Sequence, residues 1–393
     1  MKKFVAILML VITIMMISGA AFADGTDTIA EVPDVKIIMD GKLTMYKDVP
    51  INMNSSTLLP LRELLVNLGV PDDDEHIMYN SQEKSVTVIK DQTKIYLQAG
   101  NLTANVNDQP LKLNVAPVIY KNGRTYIPLR FVAEALDKKV VWDGSTKSVL
   151  ICDIAKYDSM KQILDKSSEA TRLAGKYKQT LTLDVTVESG QITMKIGAEA
   201  ESLVDKLQKK MYNNIMINML GMEIKTDTYY SDNAMYVLDP SNQKWTKQTY
   251  PEPEYNSIFV EQSKTVTDNA SEALCAGLTQ ISGSNPDEIL LQGDVFLNEL
   301  FKKTLADQST GNPAIQQQDM DFDTFSFTIS LNSSNYQLNY ISMKAKAEQK
   351  ADDMTVKTDM LVEFRYSEYN GNFEIVVPEE AILNAVETQS TKF

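Results

Sequence analysis

Histidine is almost missing from this chain: His76 is the single copy among 393 residues, and cysteine occurs only at positions 152 and 275. One imidazole excludes nucleophile–histidine hydrolase machinery unless His76 itself serves. That residue follows the acidic run Asp72-Asp73-Asp74-Glu75, far in sequence from either thiol. Zinc-ligand spacings, a phosphate-binding Gly-x-x-x-x-Gly-Lys loop and a His-Glu-x-x-His helix are all lacking. Asp319, Asp321 and Asp323 open like a calcium loop, but Thr324 stands where the turn glycine belongs and Ser330 where the closing glutamate belongs. The run at 72–75 reads as a solvated loop. A carboxylate-only glycosidase is the one enzymatic reading left, and no pair of acids is singled out for it. The expectation is a protein that is not an enzyme and uses no cofactor or metal.

Positive charge is the next shortage. Lysine and arginine total 38 against 53 aspartates and glutamates, a net charge of −15. Such a surface repels nucleic acid, anionic lipid headgroups and polyanionic wall polymers unless divalent cations bridge them, and no basic patch with interleaved aromatics offsets it, so nucleic acid is set aside as a partner. Long apolar runs are scarce as well. The longest, from Phe4 to Ile17, falls short of the ~18 residues a spanning helix needs. Lys2 and Lys3 precede it and Ser18-Gly-Ala-Ala-Phe-Ala23 follows, the pattern of an export signal cut after Ala23. Removing Lys2 and Lys3 leaves 36 basic residues against 53 acidic, so the mature chain carries about −17. With no cysteine at that site and no later span, the expectation is a secreted, extracellular or cell-wall-associated protein without a transmembrane segment. Cys152 and Cys275 lie 123 residues apart in different expected domains, and read as two buried thiols.

What is present, first, is a duplication. Leu59-Pro60-Leu61-Arg62 returns as Ile127-Pro128-Leu129-Arg130 at an offset of 68, and Asp40 maps to Asp108 at the same offset. Downstream, Tyr79 to Val86 maps to Trp142 to Val149 at an offset of 63, so the first copy carries five extra residues around 71–76. Each proline suits a helix start. Leu61, Leu64, Leu65 and Leu68 keep helical spacing, as do Leu129, Val132, Ala133 and Leu136. Gly69 is placed to end the first helix. A short hairpin follows each helix, and Asn122-Gly123 and Asp143-Gly144 are strong turn signals. The expectation is one antiparallel sheet carrying both helices. Arg62 and Arg130, beside Glu63 and Glu134, read as structural ion-pairing residues rather than ligands.

The pattern resembles the copper amine oxidase N-terminal domain, a stalk module common in exported proteins of Gram-positive bacteria. It is carried by Val106-Asn107-Asp108-Gln109-Pro110, the run from Val115 to Tyr120, Gly123 through Phe131, and Val141-Trp142-Asp143. The resemblance implies an appended, non-catalytic module. The oxidase itself is excluded, since it requires three histidines and an Asn-Tyr-Asp/Glu quinone site. Here Asn335-Tyr336 and Asn339-Tyr340 are followed by Gln337 and Ile341.

The rest of the chain predicts a second domain. After a connection at 154–157, residues 159–173 fit an amphipathic helix. Leu181, Leu183, Val185 and Val187 alternate with polar residues, and Ile192, Met194 and Ile196 repeat the pattern. Strands are expected at 229–236 and 244–248, a more helical stretch at 255–304, then strands at 325–331, 340–347, 355–366 and 373–377. The fold class is α+β: a small duplicated sheet-plus-helices domain, then a larger curved antiparallel sheet, half-barrel-like, with helices. The expected organisation is a signal peptide at 1–23, a linker at 24–35, the duplicated domain at 36–153 and the second domain at 157–387.

The strand order, with Tyr230 through Pro240 and Lys244-Trp245, resembles the periplasmic lipoprotein-carrier and lipid-binding half-barrel superfamily. Asn233 replaces the usual turn glycine, which asparagine tolerates. The resemblance implies an apolar cavity. Met211, Met216, Met219 and Met222, with Tyr236 and Trp245, are the candidate ligand-binding residues, methionine being adaptable toward varied apolar surfaces. Ordinary core filling is the competing reading of those methionines. The expected function is a non-catalytic envelope binding protein holding a lipid or other hydrophobic ligand. The alternative is a structural scaffold contacting the cell wall or an envelope protein.

Overall fold

The computed structural model describes residues 29–144, 146–219, 221–262, 265, 267, 271–283, 285–294, 324–351 and 354–388. The signal-like segment 1–23, the expected helical stretch beyond 294 and the Asp319, Asp321 and Asp323 run lie outside the described residues. Two compact units result: one of residues up to Met160 together with Glu272–Thr279, the other of Lys161–Ser271 with residues from Gln280 onward.

The duplication is visible in the first unit as interlocked halves. The two repeat motifs sit side by side: Ser56–Pro60 pairs antiparallel with Arg124–Pro128, and Leu59 lies opposite Ile127. Each strand runs directly into a helix, α1 (Leu61–Asn67) or α2 (Leu129–Ala135), with Pro60 and Pro128 at the cap. Leu61, Leu64, Leu65, Leu129, Val132 and Ala133 are buried in one core with Leu59 and Ile127. Gly69, at φ +81, closes α1 in a conformation L-residues avoid, while Lys90 Nζ donates to the Leu68 carbonyl at 2.8 Å. The repeated Asp40 and Asp108 occupy matching left-handed turns at φ 46 and 62.

The single expected sheet is three. The middle hairpins of both copies merge into one five-stranded sheet, while a second five-stranded and a four-stranded sheet flank it. The cause is an exchange. The leading strand of the first copy, Lys36–Met39, pairs in parallel with Ser148–Asp153 of the second, placing Ile37 opposite Val149. A parallel partner so distant in sequence leaves no local signature.

Helix α3 (Ile154–Leu173) takes the place of the connection expected at 154–157, because no glycine or proline interrupts those twenty residues. The expected helical stretch after 255 is mixed. Glu252–Gln262 (α4) and Glu272–Gly277 (α5) are helical, but Glu288–Gly293 is a strand paired with Thr324–Asn332. Its Ile-Leu-Leu core is too short for periodicity to separate helix from strand. Helix α5 belongs to the first unit: Leu274, Cys275 and Ala276 are buried, and it packs on Lys138–Asp143 and Ser148–Asp153, with Glu272 3.5 Å from Lys139. Cys152 and Cys275 therefore share a unit, contrary to the placement expected from sequence. Both are buried.

The second unit is built on one twelve-stranded sheet. Its order is Thr279–Ile281, Glu288–Gly293, Thr324–Asn332, Leu338–Ala351, Met354–Ser367, Lys176–Ser189, Ile192–Asp205, Lys210–Met219, Met222–Ser231, Ala234–Asp239, Lys244–Thr249 and Val386–Glu387. From Glu288–Gly293 through Lys244–Thr249 neighbouring strands pair antiparallel, and Val386–Glu387 joins in parallel. The expected strand at 373–377 does not form. Ile375 and Val377 are buried, but that backbone runs irregularly into Pro378 and helix α6 (Glu379–Asn384). The α+β class stands.

A half-open apolar face on the curved sheet

Register assigns each side chain of the second sheet to a face, because directly opposed residues point the same way. Leu183 lies opposite Val362 on one side and Ala198 on the other; Ala198 lies opposite Ile217, and Ile217 opposite Ile224. The rows on either side run Phe364, Leu181, Ala200, Ile215, Thr226 and Met360, Val185, Ile196, Met219, Met222. One continuous apolar face results. The reverse side carries Thr182, Asp184, Lys195, Glu199, Asn218, Glu223 and Lys225.

The apolar face is unevenly covered. Phe327, Ile329, Met343, Val362 and Phe364 are buried, the first three completely. Across the neighbouring strands Leu181, Leu183, Val185, Ala198, Ala200, Ile215, Ile217 and Ile224 are only half-buried. Ala198 and Ala200 sit between larger leucine and isoleucine neighbours, so the middle of the rows is a shallow trough. At one end, Val187, Ile196, Met219 and Val356 close over it. At the other, the Tyr177, Val204, Met211 and Tyr230 row is buried. Tyr177 packs 6.1 Å from Tyr366 and 6.2 Å from Tyr369.

The six candidate residues divide between the faces. Met211, Met219 and Met222 share the apolar face, Met211 and Met219 buried and Met222 45% exposed at the hairpin end. Met216, opposite Glu199 and Lys225, lies on the other. Tyr236 and Trp245 are also on that reverse side, in a separate cluster with Ala234, Val377 and Ala381 beneath α6. Tyr212 extends it, 4.7 Å from Tyr229, with its hydroxyl donating to Asp227 Oδ1 at 2.7 Å. Burial, with the Asp227 bond second, pushes the Tyr212 phenol upward. Of the trough residues, Leu181 and Leu183 stood out in sequence by alternation, while Ala198, Ala200, Ile215 and Ile217 join them only through the pairing register.

His76 Nδ1 lies 2.7 Å from Asp73, and that bond holds the Asp73 carboxyl below its usual range. Among the described residues, no group of three or more histidine, cysteine, aspartate or glutamate side chains could hold a metal ion. No helix among them is long and apolar enough to cross a membrane.

Fold and face together define a two-unit protein: a duplicated module of three sheets and helices, and a twelve-stranded sheet with one apolar, half-open side. The chain belongs to a family of unknown function (DUF6612), whose profile matches residues 159–386. The copper amine oxidase N-terminal domain matches residues 38–151. No curated protein matches. Among solved structures, LprF from Mycobacterium bovis is similar at 13% identity and a TM-score of 0.30, over 57% of this chain and 98% of that one. A DUF1329 family protein from Desulfovibrio piger is similar at 9% identity and a TM-score of 0.21, over 56% and 95%. An outer membrane lipoprotein-sorting protein domain from Vibrio parahaemolyticus is similar at 8% identity and a TM-score of 0.20, also over 56% and 95%.

Proposed function

We propose that this protein is a non-catalytic binding protein, exported to the cell envelope or beyond, that holds a lipid or other hydrophobic ligand along the trough of its second unit. The observation that carries the reading is the contrast within one face: Val362 and Phe364 are buried while Leu181, Leu183, Ala198, Ile215 and Ile217 beside them are half-exposed. Each methylene of a ligand covering that strip would contribute roughly 0.8 kcal/mol. Met219 and Met222 border the strip and adapt to the ligand's end; Met211 lines its buried margin. Met216, Tyr236 and Trp245, on the reverse side, take no part in holding it. Export is supported by Lys2, Lys3, the apolar run from Phe4 and the small residues ending at Ala23. The first unit serves as the appended stalk.

Native mass spectrometry of protein purified from its producing cell, followed by solvent extraction, tests the reading. A bound apolar molecule is expected, and a mature N-terminus at Asp24. Protein that carries nothing and binds no acyl probe would instead favour a scaffold role, read out as retention on purified cell wall.

A further inference from the structure

The hairpin joining Ile192–Asp205 to Lys210–Met219 turns through residues 206–209, with Lys209 at φ 53. Helix α4 holds that turn, since Tyr255 donates its hydroxyl to the Lys209 carbonyl at 2.6 Å. Lys206 and Lys209, with Asn256, Phe259 and Val260 of α4, line a cleft of about 220 Å³. In a chain of net charge −15, both charges lining it are positive. The adjacent carboxylate, Asp205, is already engaged: Lys176 Nζ lies 3.0 Å away, and the amides of Leu207 and Gln208 donate to it at 3.1 and 2.9 Å. Lys206 is held from two sides, donating to the Thr171 carbonyl at 3.0 Å and lying 5.3 Å from the Tyr177 ring centre.

Asn256 Oδ1, of a residue lining the cleft, is buried without a hydrogen-bond partner among the described residues. A polar atom left so is costly unless something supplies the partner. An amide oxygen can only accept, so the ligand that satisfies it brings an O–H of its own, while the two ammonium groups call for negative charge and acceptor oxygens.

We propose that the cleft holds a phosphate ester bearing a neighbouring hydroxyl, with Lys206 and Lys209 on the phosphate oxygens and Asn256 Oδ1 accepting from the hydroxyl. Its volume lies below the roughly 300–1,000 Å³ of drug-sized sites, which suits a headgroup whose chains lie elsewhere. Phe259 and Val260 supply the apolar wall where such chains begin. This names the headgroup of the ligand class proposed above and rests on that reading. The same chemistry is offered by a glycerol-phosphate lipid headgroup and by free glycerol phosphate.

Calorimetric titration of the full chain distinguishes them, using short-chain phosphatidylglycerol, phosphatidylcholine of equal chain length and glycerol 3-phosphate. Phosphatidylglycerol is expected to bind at least about tenfold more tightly than phosphatidylcholine. Lys209→Gln, at an exposed side chain, should abolish most of that preference without moving the melting temperature. Asn256→Leu should raise the melting temperature and weaken phosphatidylglycerol. Glycerol 3-phosphate binding with the same Lys209 dependence would identify the soluble ester as sufficient. Equal affinity for the two lipids, a preference that survives Lys209→Gln, or no binding of any ligand would overturn the proposal. An apolar dye that still binds the trough in those cases leaves the hydrophobic-ligand reading standing. A dye that never binds, beside Lys209-dependent glycerol 3-phosphate, would sink that reading alone.

Discussion

Arg130 donates from Nη1 to the backbone carbonyl of Val140 at 3.0 Å, tying the first turn of α2 to the strand that follows it. The same nitrogen lies 3.3 Å from Glu134. Arg62, its counterpart in the first copy, pairs instead with Asp72, which falls in the five-residue insertion. The insertion thus supplies a partner that the second copy takes from its own backbone. Arg130→Met is expected to cost about 1–2 kcal/mol, as loss of a charged bond to a partly buried carbonyl. Arg62→Met, breaking an exposed pair, should cost no more than about 0.5 kcal/mol. Denaturant unfolding of the two variants compares them, and equal losses would reject the asymmetry.

The trough makes a prediction separable from stability. Ala198→Phe fills its middle and should weaken an acyl-chain fluorescent probe by about tenfold or more, as a side chain competes for the same apolar area. Met216→Ser, on the reverse side opposite Glu199 and Lys225, should leave probe affinity unchanged. Matching effects from both substitutions would place the probe elsewhere.

Ala381 is fully buried against the Tyr236 and Trp245 cluster. Ala381→Glu overfills that contact and buries a charge, so it should cost about 3 kcal/mol and undock α6. Trp245 is 8% exposed and Trp142 48%, so a Trp142→Phe background isolates the buried indole. Its emission should move to the red with Ala381→Glu. Unshifted emission would mean that α6 does not shield it.

Alkaline pH should loosen the first unit through its buried thiol and phenols, the carboxylates being already ionised there. Burial pushes the Cys152 thiol from 9.0 up to about 11, and the Tyr46 and Tyr157 phenols from 10.0 up to about 12. Raised values favour the neutral forms in the folded state. Their contribution is complete below the unfolded values and disappears as pH climbs through the folded ones. Stability should hold to about pH 9 and fall between pH 9 and 12. Cys152→Ala should remove the lower part of that decline and Tyr46→Phe some of the upper. A flat profile across the window would contradict the burial assigned to these groups.

Much of the fold was legible from residues alone. Leucine spacing placed α1 and α2, Asp40 and Asp108 marked equivalent turns, and alternation located the strands over Leu181–Val187, Ile192–Ile196, 325–331, 340–347 and 355–366, whereas the strand expected at 229–236 spans the Asp232–Asn233 turn between two strands. Long-range pairing was not legible. Nothing in Lys36–Met39 announces a parallel partner at Ser148–Asp153, and Glu272–Gly277 carries no mark of packing on a sheet more than a hundred residues earlier. For the candidate site, the methionine cluster drew attention by composition, yet a one-residue step in a strand reverses the face. Met216 therefore parts from Met211 and Met219, while the alanines that shape the trough carry no chemical signal.

Both margins of the twelve-stranded sheet end in fragments: Thr279–Ile281 on one side and the two-residue Val386–Glu387 on the other. Long bare margins recruit further copies into fibrils. Here the parallel pairing of Thr246 with Val386 and Lys247 with Glu387, extended by the Thr388 amide on the Lys247 carbonyl at 2.8 Å, covers one of them. Residues 386–388 thus shield that margin, and removing them would leave the Lys244–Thr249 backbone open to intermolecular pairing.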